Sequence, residues 1–456
     1  MLEFSHDLLP AVSIHPPPAG STERKMKAAD LLASLRDGAA DKILAALYGA
    51  RAVPFRKKRL AGLIRRLSGR FPGAEAAVFR APGRTELGGN HTDHNRGRVL
   101  AAAVDLDIVA AAVKRDDGRV VLSSPGYPRP IAVDLADARP RRAERGTTAA
   151  LVRGVARFLG LGGESRTGGG FHAELDAALP QGAGLSSSAA IELLVATAFN
   201  ELHLGGETPA VELAKAGQRA ENEYYGKPCG LMDQIASGFG GVVAVDFKNS
   251  AAPVIEPIAL DPEGAGYALF VLDTGGNHAG LTAAYAAVPA EMMAVAAFFG
   301  KDALRDVSSA RFRRALPALR AKTGDRAVLR AMHFFAENER VAKQASLLGR
   351  KDFEGFLALA RDSADSSWEL LQNCLLPGDP RAQGVALGLA LSRSFLEKRA
   401  GGRGAARVHG GGFAGTIQCW VPLPAARAYR AALESVFGER SVIPLRLCPR
   451  GAMRVL

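Results

Sequence analysis

The alternation of apolar and polar positions divides the chain into two series of elements. Near the start, MKAADLLASLRDGAADKILAALYG and FRKKRLAGLIRRLSGRFP carry apolar residues at helical spacing and are predicted as helices on the outside of a first domain. AAVFRAP reads as a short strand ending at Pro82, because proline has no N–H to give to a ladder. The stretch from Gly83 to Leu100, GRTELGGNHTDHNRGRVL, is too polar and too rich in glycine for the core and is predicted as a loop. Strands follow in VDLDIVAAAV, RVVLSS and PIAVDL, the first two joined by a turn at Asp116-Asp117-Gly118. The helix TTAALVRGVARFLG and the strand FHAELDAAL then lead to a loop of small residues and a further helix, AAIELLVATAFNELHL. In the next helix, TPAVELAKAGQRAENEYYG, Thr208 is assigned as N-cap and Pro209 as the first helical position. After a break at Lys227-Pro228 come CGLMDQIASGFGG and the strand VVAVDF, which closes the first domain near Lys248.

The second series opens with the strands PVIEPIAL and YALFVLDTG. Helical stretches run from Ala279 to Arg399, punctuated at Gly300, Pro317, Gly349 and Pro377. A loop at Gly401 to Gly404 leads to the ending ARVHGGGFAGTIQCWVP, AARAYRAALESVFG and SVIPLRLC, read as strand, helix and strand. The predicted organisation is an α/β (α+β) protein of two domains, residues 25–248 and 249–456, without internal repeats.

Composition narrows the function classes. A chain of 456 residues, 48% hydrophobic, is long enough to bury a large core. The net charge of +12 raises nucleic acid as a partner, but the arginines are scattered through helical stretches with few aromatics between them, so a solvated basic surface is expected and no nucleic-acid partner. Cys229, Cys374, Cys419 and Cys448 are widely spaced without a CxxC pair, which argues against a zinc site or a disulfide framework and suits a reducing cytoplasm. No apolar run long enough to span a bilayer and no signal-peptide pattern are read from the sequence, so a cytoplasmic protein without a membrane partner is expected.

Two polar stretches carry candidate chemistry. The first, LPQGAGLSSSAAI from Leu179 to Ile191, lies between a predicted strand and a predicted helix. Gly182 and Gly184 permit close approach to the main chain, and Ser186, Ser187 and Ser188 bring hydroxyls and unpaired N–H groups to a helix N-terminus, which suits a polyphosphate with Mg²⁺. A glycine turn followed by serine capping is the plain structural alternative. The second holds Arg84, Glu86, Asn90, His91, Asp93 and His94 close together, a density of donors and acceptors that suits a hydroxyl-rich ligand. A metal at His91, Asp93 and His94 and a solvated surface loop are its alternatives.

Other motif matches fail their context. Gly410 to Gly415, GGGFAG, fits G-x-G-x-x-G but is followed by a strand-like segment where a dinucleotide fold needs a helix. His409 to Gly412, HGGG, has no G-x-S-x-G elbow after it. Neither a Walker A sequence nor a protein-kinase catalytic loop is present.

Taken in order, GRTELGGNHTDHNRG, QGAGLSSSAA, AENEYYGKPCGLMDQ and RVHGGGFAG resemble the four motifs of the GHMP-superfamily small-molecule kinases, most closely the galactokinase family. The resemblance implies two domains, an N-terminal one like domain 2 of ribosomal protein S5 and a C-terminal ferredoxin-like one with added helices, with the active site in the cleft between them. It implies a sugar 1-kinase whose partners are ATP and a small sugar, with Mg²⁺ as cofactor, acting as a monomer or weak homo-oligomer. By position, Gly182, Ala183, Gly184, Leu185, Ser186, Ser187 and Ser188 would hold the ATP phosphates, and Ser188 and Glu221 would ligate Mg²⁺. Asp233 would be the base or anchor at the anomeric hydroxyl, with Arg84 stabilising charge on the transferring group. Asn90, His91, Thr92 and Asp93 would line the sugar site, and Tyr285 would pack against it.

This chain departs from the family signature in having Asn90 in place of a glutamate that contacts the sugar C6 hydroxyl, Glu86 in place of an asparagine, and His94 in place of a tyrosine. Galactose is therefore the expected sugar and galacturonate, with its C6 carboxylate, the alternative. A galactokinase-like sensor that binds sugar and ATP without turnover would lack an intact phosphate loop or catalytic acid, whereas both are present here.

Overall fold

The computed structural model describes residues 26–163, 169–180, 183–276 and 281–456. Its spine is the antiparallel pair of long strands Glu75–Gly88 and Arg98–Arg115. Both are rich in small and β-branched residues and are buried over most of their length, as strands covered on both faces must be. The second strand serves two neighbours. Its residues 98–102 pair with Val242–Asp246, and its residues 108–115 pair with Gly170–Ala177. Arg119–Ser123 and Ile131–Asp134 extend the sheet beyond Gly170–Ala177, the first of them in parallel.

On one face of this sheet lie the helices Thr148–Phe158, Ser187–His203 and Ala210–Arg219; on the other lie Ala28–Arg36, Asp41–Tyr48 and Val53–Arg70. A second sheet has the order Ala405–Val408, Thr416–Pro422, Tyr267–Asp273, Val442–Leu445, entirely antiparallel. With the helices Gly384–Ala400 and Ala426–Phe437 between its strands, this is the β-α-β-β-α-β order of a ferredoxin-like unit. The two sheets share one apolar core, in which Tyr267, Phe353, Phe356 and Trp420 continue the cluster built around Phe79, Phe171 and Phe199.

Several expectations need correction. Pro82 does not end its strand: the ladder slips between Pro82 and Arg84, and the strand continues to Gly88. A register slip can absorb the missing N–H, so Arg84 and Glu86 stand on a rigid strand rather than a loop. The loop itself is shorter, Gly89 to Gly97. Val254–Ile258, expected to open the second domain, pairs with Val242–Asp246 in the first sheet. The chain end also returns there, with Met453–Arg454 pairing with Phe79 and Arg80. RVHGGGFAGTIQCWVP is a hairpin, its glycine run forming the connection between two strands. The helix after Pro209 starts one residue later than assigned, with Pro209 as N-cap, while Thr208 bonds through its backbone to the Asn200 side chain.

A largely buried ionic cluster ties the sheet to one helical layer. Asp107, at a kink of the second long strand, accepts from Arg80 Nε (3.0 Å), from Arg59 (2.7 Å) and from the Tyr48 hydroxyl. Arg59 reaches on to Asp176, and Arg80 to the carbonyl of Arg450 (3.1 Å), so two helices, three strands of the sheet and the C-terminal return are joined through one carboxylate and its arginines. Burial pushes the Asp107 pKa up, but the two arginines outweigh it and hold it below the ordinary carboxylate value. Asp107→Asn should therefore cost about 3–5 kcal/mol in denaturant unfolding, because it strands two buried cations. The sign of the pH effect follows from the lowered folded pKa. The contribution is full above the unfolded value of about 3.9 and drains away as pH falls from there through the folded pKa, so the variant should lose less stability than the parent on acidification.

Candidate active site

The loop Ala183 to Ser186 leads into the helix Ser187–His203, and Ser186 holds a left-handed backbone (φ 56) rather than an ordinary capping conformation. That geometry turns its hydroxyl away from the helix end and onto Asp233 Oδ2. Asp233 stands in the first turn of the helix Met232–Phe239. Arg84, one strand away, grips it with both arms, Nε to Oδ1 at 2.6 Å and Nη2 to Oδ2 at 2.9 Å. Nη1 of Arg84 donates to the Gly184 carbonyl, so a single guanidinium joins the acid to the serine-rich loop. Gly83 makes this approach possible: a Cβ there would lie 2.8 Å from the Leu185 carbonyl oxygen and 2.4 Å from the Leu179 side chain. Burial raises the Asp233 pKa, but the charge and hydrogen bonds of Arg84, with the Ser186 hydroxyl, hold it below the usual carboxylate range.

Glu221 lies in a π-helical turn, Ala220–Tyr225, that follows the helix Ala210–Arg219. Such widened turns recur at functional sites. The carboxylate is buried and fully engaged: Oε1 accepts from Ser188 Oγ and from Lys227 Nζ, each at 2.9 Å, and Oε2 from Gln234 Nε2 at 3.1 Å. The same Gln234 nitrogen donates to Glu192 Oε2 at 2.9 Å. Gln234 adjoins Asp233, so the two carboxylate centres are held by consecutive residues. Among the described residues no three His, Cys, Asp or Glu side chains gather as a metal site.

The recognition loop predicted from the sequence, Gly89 to Gly97 in the fold, is fastened mainly by its backbone. The long helix Asp325–Gly349 reaches it through Glu337, which accepts from Gly89 N (2.9 Å), Asn338, which accepts from Arg98 N (3.0 Å), and His333, whose Nε2 donates to the Asn90 carbonyl (3.0 Å). The Thr92 hydroxyl is committed to the carbonyls of Gly89 and Arg98 (2.9 and 2.6 Å), so this residue shapes the loop. His91 Nε2 donates to the Gly411 carbonyl at 3.0 Å, and burial drives its pKa down to about 3. Asp93 accepts from the His94 backbone and abuts Gly230, where a Cβ would come 1.8 Å from its carboxylate; the loop and the Asp233 segment thus meet without a gap. Tyr285, on the helix Thr282–Phe298, donates to the Gly412 carbonyl (2.9 Å) and lies edge-on to Phe413.

Asn90 and Glu86 are in contact. Asn90 Nδ2 donates to Glu86 Oε1 at 3.1 Å and to the Gly410 carbonyl at 2.7 Å, while its Oδ1 accepts from Asn373 at 2.8 Å. Glu86 in turn takes Arg407 Nη2 at 2.7 Å, both side chains buried. The two signature departures are therefore reciprocal: amide and carboxylate have changed places within one hydrogen-bonded pair.

The sequence-predicted residues thus fall into three contacting groups. Arg84, Gly184 and Ser186 gather on Asp233; Ser188 gathers on Glu221; Asn90 and His91 meet the Gly410–Gly412 turn, where Tyr285 also packs. Ser187 is exposed, Ala183 and Leu185 are buried, and Gly182 lies outside the described residues. Sequence reasoning missed Gln234, Lys227, Asn373, Arg407 and His409. Gln234 and Lys227 flank recognised motif residues, and His409 heads the glycine run whose resemblance to a lipase loop fails its context. It sits under the phosphate loop between Thr85 (3.0 Å) and Thr416 (3.1 Å), uncharged through burial. Asn373 and Arg407 have no local signal, because their partners are far away in sequence.

Two family descriptions match the chain: "GHMP kinases N terminal domain" over residues 149–241 and "Galactokinase galactose-binding signature" over residues 68–114. A galactokinase of Streptomyces coelicolor is 34% identical over 370 residues, 80% of this chain and 90% of the relative. One from Actinobacillus pleuropneumoniae is 31% identical over 355 residues, 76% of this chain and 86% of its own length. The crystal structure of Lactococcus lactis galactokinase complexed with galactose superposes with a TM-score of 0.73 at 26% identity, covering 87% of this chain and all of that one. A mevalonate kinase of L. major, at 15% identity and a TM-score of 0.54, shares the fold. With its four motifs in contact and these relatives aligned over most of its length, the chain belongs to the galactokinase family of the GHMP kinases.

Proposed function

We propose that this chain transfers the γ-phosphoryl group of ATP to the anomeric hydroxyl of galactose, giving galactose 1-phosphate and ADP. The observation that carries the reading is the Arg84–Asp233 pair set directly beneath the serine-rich loop. A carboxylate offers roughly four lone-pair sites, of which Arg84 takes two and Ser186 one, leaving Asp233 one acceptor for the sugar hydroxyl. Its lowered pKa makes Asp233 a weak proton acceptor, so it anchors and orients the hydroxyl and takes its proton only late, as the new oxygen–phosphorus bond forms in a loose transition state. Arg84 sits where it can neutralise charge on the transferring group. Residues Gly182 to Ser188 hold the phosphates, with Ala183 to Ser188 at the positive end of the helix Ser187–His203.

Ser188 Oγ and Glu221 Oε1 form a pair of hard oxygen donors, which fits Mg²⁺ bound by one carboxylate, one hydroxyl and the nucleotide's own phosphates. When bound, Mg²⁺ neutralises phosphate charge. Asn90, His91, Asp93 and Tyr285 line the sugar site in this reading, and Thr92 holds the loop in shape. The described partners of the Asn90 amide include no cation, which favours the neutral hydroxymethyl group of galactose over the C6 carboxylate of galacturonate. A sensor without turnover is disfavoured by the intact contacts of Arg84, Asp233, Ser188 and Glu221. A cytoplasmic setting suits four free thiols, and among the described residues no helix is long and apolar enough to cross a membrane.

Asp233→Asn should lower kcat by roughly a thousandfold while leaving the Kd for ATP within about threefold, read by ADP release and by calorimetry. Near-normal kcat would remove Asp233 from the mechanism. Because Asp233 stays ionised below the ordinary carboxylate range, and burial drives His91 down to about 3 and His409 well below the ordinary imidazole value, kcat/KM should show no acid limb from Asp233, His91 or His409 between about pH 5 and 8. A limb in that range that disappears in one histidine variant would assign the titration there instead. Asn90→Glu alone should lower kcat/KM for galactose, since it sets a second carboxylate against Glu86. The double exchange Glu86→Asn with Asn90→Glu should recover activity, with a coupling of about 1–3 kcal/mol in the double-mutant cycle. Strictly additive losses would mean that the two positions act independently.

A further inference from the structure

Glu221 already holds three donors, two of them on one oxygen. Oε1 takes two donors, Ser188 Oγ and Lys227 Nζ, and Oε2 takes Gln234. A cation that binds Oε1 must displace one of them. Gln234 is completely buried and divides its amide between Glu221 and Glu192, so it cannot leave without exposing two carboxylates to each other. Ser188 can stay as a ligand by rotating its hydroxyl hydrogen away. Lys227 differs from both: its side chain is 60% exposed, while that of Glu221 is 1% exposed. Its four-carbon stem allows it to swing, and a like charge arriving on the same oxygen drives it out.

The backbone places Lys227 for this purpose. At the end of the π-helical turn, the N–H groups of Gly226 (2.9 Å) and of Lys227 itself (3.2 Å) both donate to the Glu221 carbonyl, so main chain and side chain of Lys227 converge on one residue. Resting on the assignment of Glu221 and Ser188 as metal ligands, we propose that Lys227 occupies the metal's place on Glu221 in the nucleotide-free enzyme and turns to the polyphosphate when Mg–ATP binds. In the resting state these two carboxylates then carry one cation each, Arg84 on Asp233 and Lys227 on Glu221. In the loaded state the displaced ammonium finds the phosphate oxygens as the nearest strong acceptors and adds a positive charge to the site of transfer.

A merely structural ion pair predicts the opposite metal response, which makes the idea testable with Mn²⁺ followed by electron paramagnetic resonance. In Lys227→Met without nucleotide, Mn²⁺ should bind tighter by roughly two- to fivefold, the range of a partly exposed ion pair, because its competitor is gone. In the same variant kcat/KM for Mg–ATP should fall by roughly tenfold or more. Lys227→Arg, which keeps the charge, should retain the parent's nucleotide-free Mn²⁺ affinity within about twofold. Weaker or unchanged Mn²⁺ binding in Lys227→Met would overturn the proposal, as would unchanged kcat/KM for Mg–ATP. Glu221→Gln separates the two levels of the argument: if it leaves Mn²⁺ binding in the presence of ATP intact, the metal assignment itself is wrong whatever Lys227 does.

Discussion

The buried ion pair between Glu86 and Arg407 is the constraint around which the cleft is built. Glu86 belongs to the long strand of the first sheet and Arg407 to an edge strand of the second, and their 2.7 Å contact lies out of reach of water. Burying two charges is costly, and hydrogen bonds around the pair offset part of that cost. Here Arg407 also donates to the Glu86 carbonyl (2.9 Å), and Gln418 spans from the second sheet to Thr85 (2.6 Å) and to the same carbonyl (3.0 Å). The end of one strand is thus stitched by side chains to two strands of the other sheet. The recognition loop, which begins where that strand ends, is delivered to the boundary between the sheets in one orientation.

From this joint the site extends in two directions. On one side, Asn90 joins Glu86 to the Gly410 carbonyl and to Asn373, so its side chain belongs to the hydrogen-bond network that links the two sheets. On the other side, toward the serine-rich loop, Arg84, two residues before Glu86 on the same strand, carries Asp233 and the Gly184 carbonyl. Arg84 and Glu86 lean on one rigid element, and that element is pinned at both ends, by Arg407 near the cleft and by the Asp107 cluster at the far side. Preorganisation of this kind matters for phosphoryl transfer, which asks the protein for position and charge more than for covalent chemistry.

The carboxylates are differentiated by what surrounds them. Asp233 has a dedicated arginine and is held ionised; Glu192 has only an amide donor and a neighbouring carboxylate, and burial together with Glu221 raises its pKa well above the ordinary value. Glu221 lies between them with an exposed lysine as its counter-ion. A charge that can leave is a different device from one that cannot, and the contrast between Lys227 and Arg84 follows from exposure and from the rigidity of the guanidinium fork.

Local pattern determined much of this protein. The helices around the sheets, the turn at Asp116-Asp117-Gly118, the strand-loop-helix unit at the serine-rich loop and the placement of Glu221 and Asp233 near helix ends all follow from periodicity and turn chemistry that act within a few residues. The four motifs were legible for the same reason, each being contiguous. Tertiary structure alone decided what those motifs touch. Pro82 remained in its strand because a register slip against the neighbouring strand made room for it, and Val254–Ile258 joined the first sheet because an open edge at Val242–Asp246 was available there. Ser186 turned from the helix end to Asp233 because its backbone is held in a left-handed conformation. The exchange of amide and carboxylate between Glu86 and Asn90 became a single change only when the fold set the two side chains against each other and brought Arg407, distant in sequence, to balance the charge. Hydrophobic period specifies which face of an element is buried; it carries no information about which polar groups, hundreds of residues apart, will share that burial and have to satisfy one another.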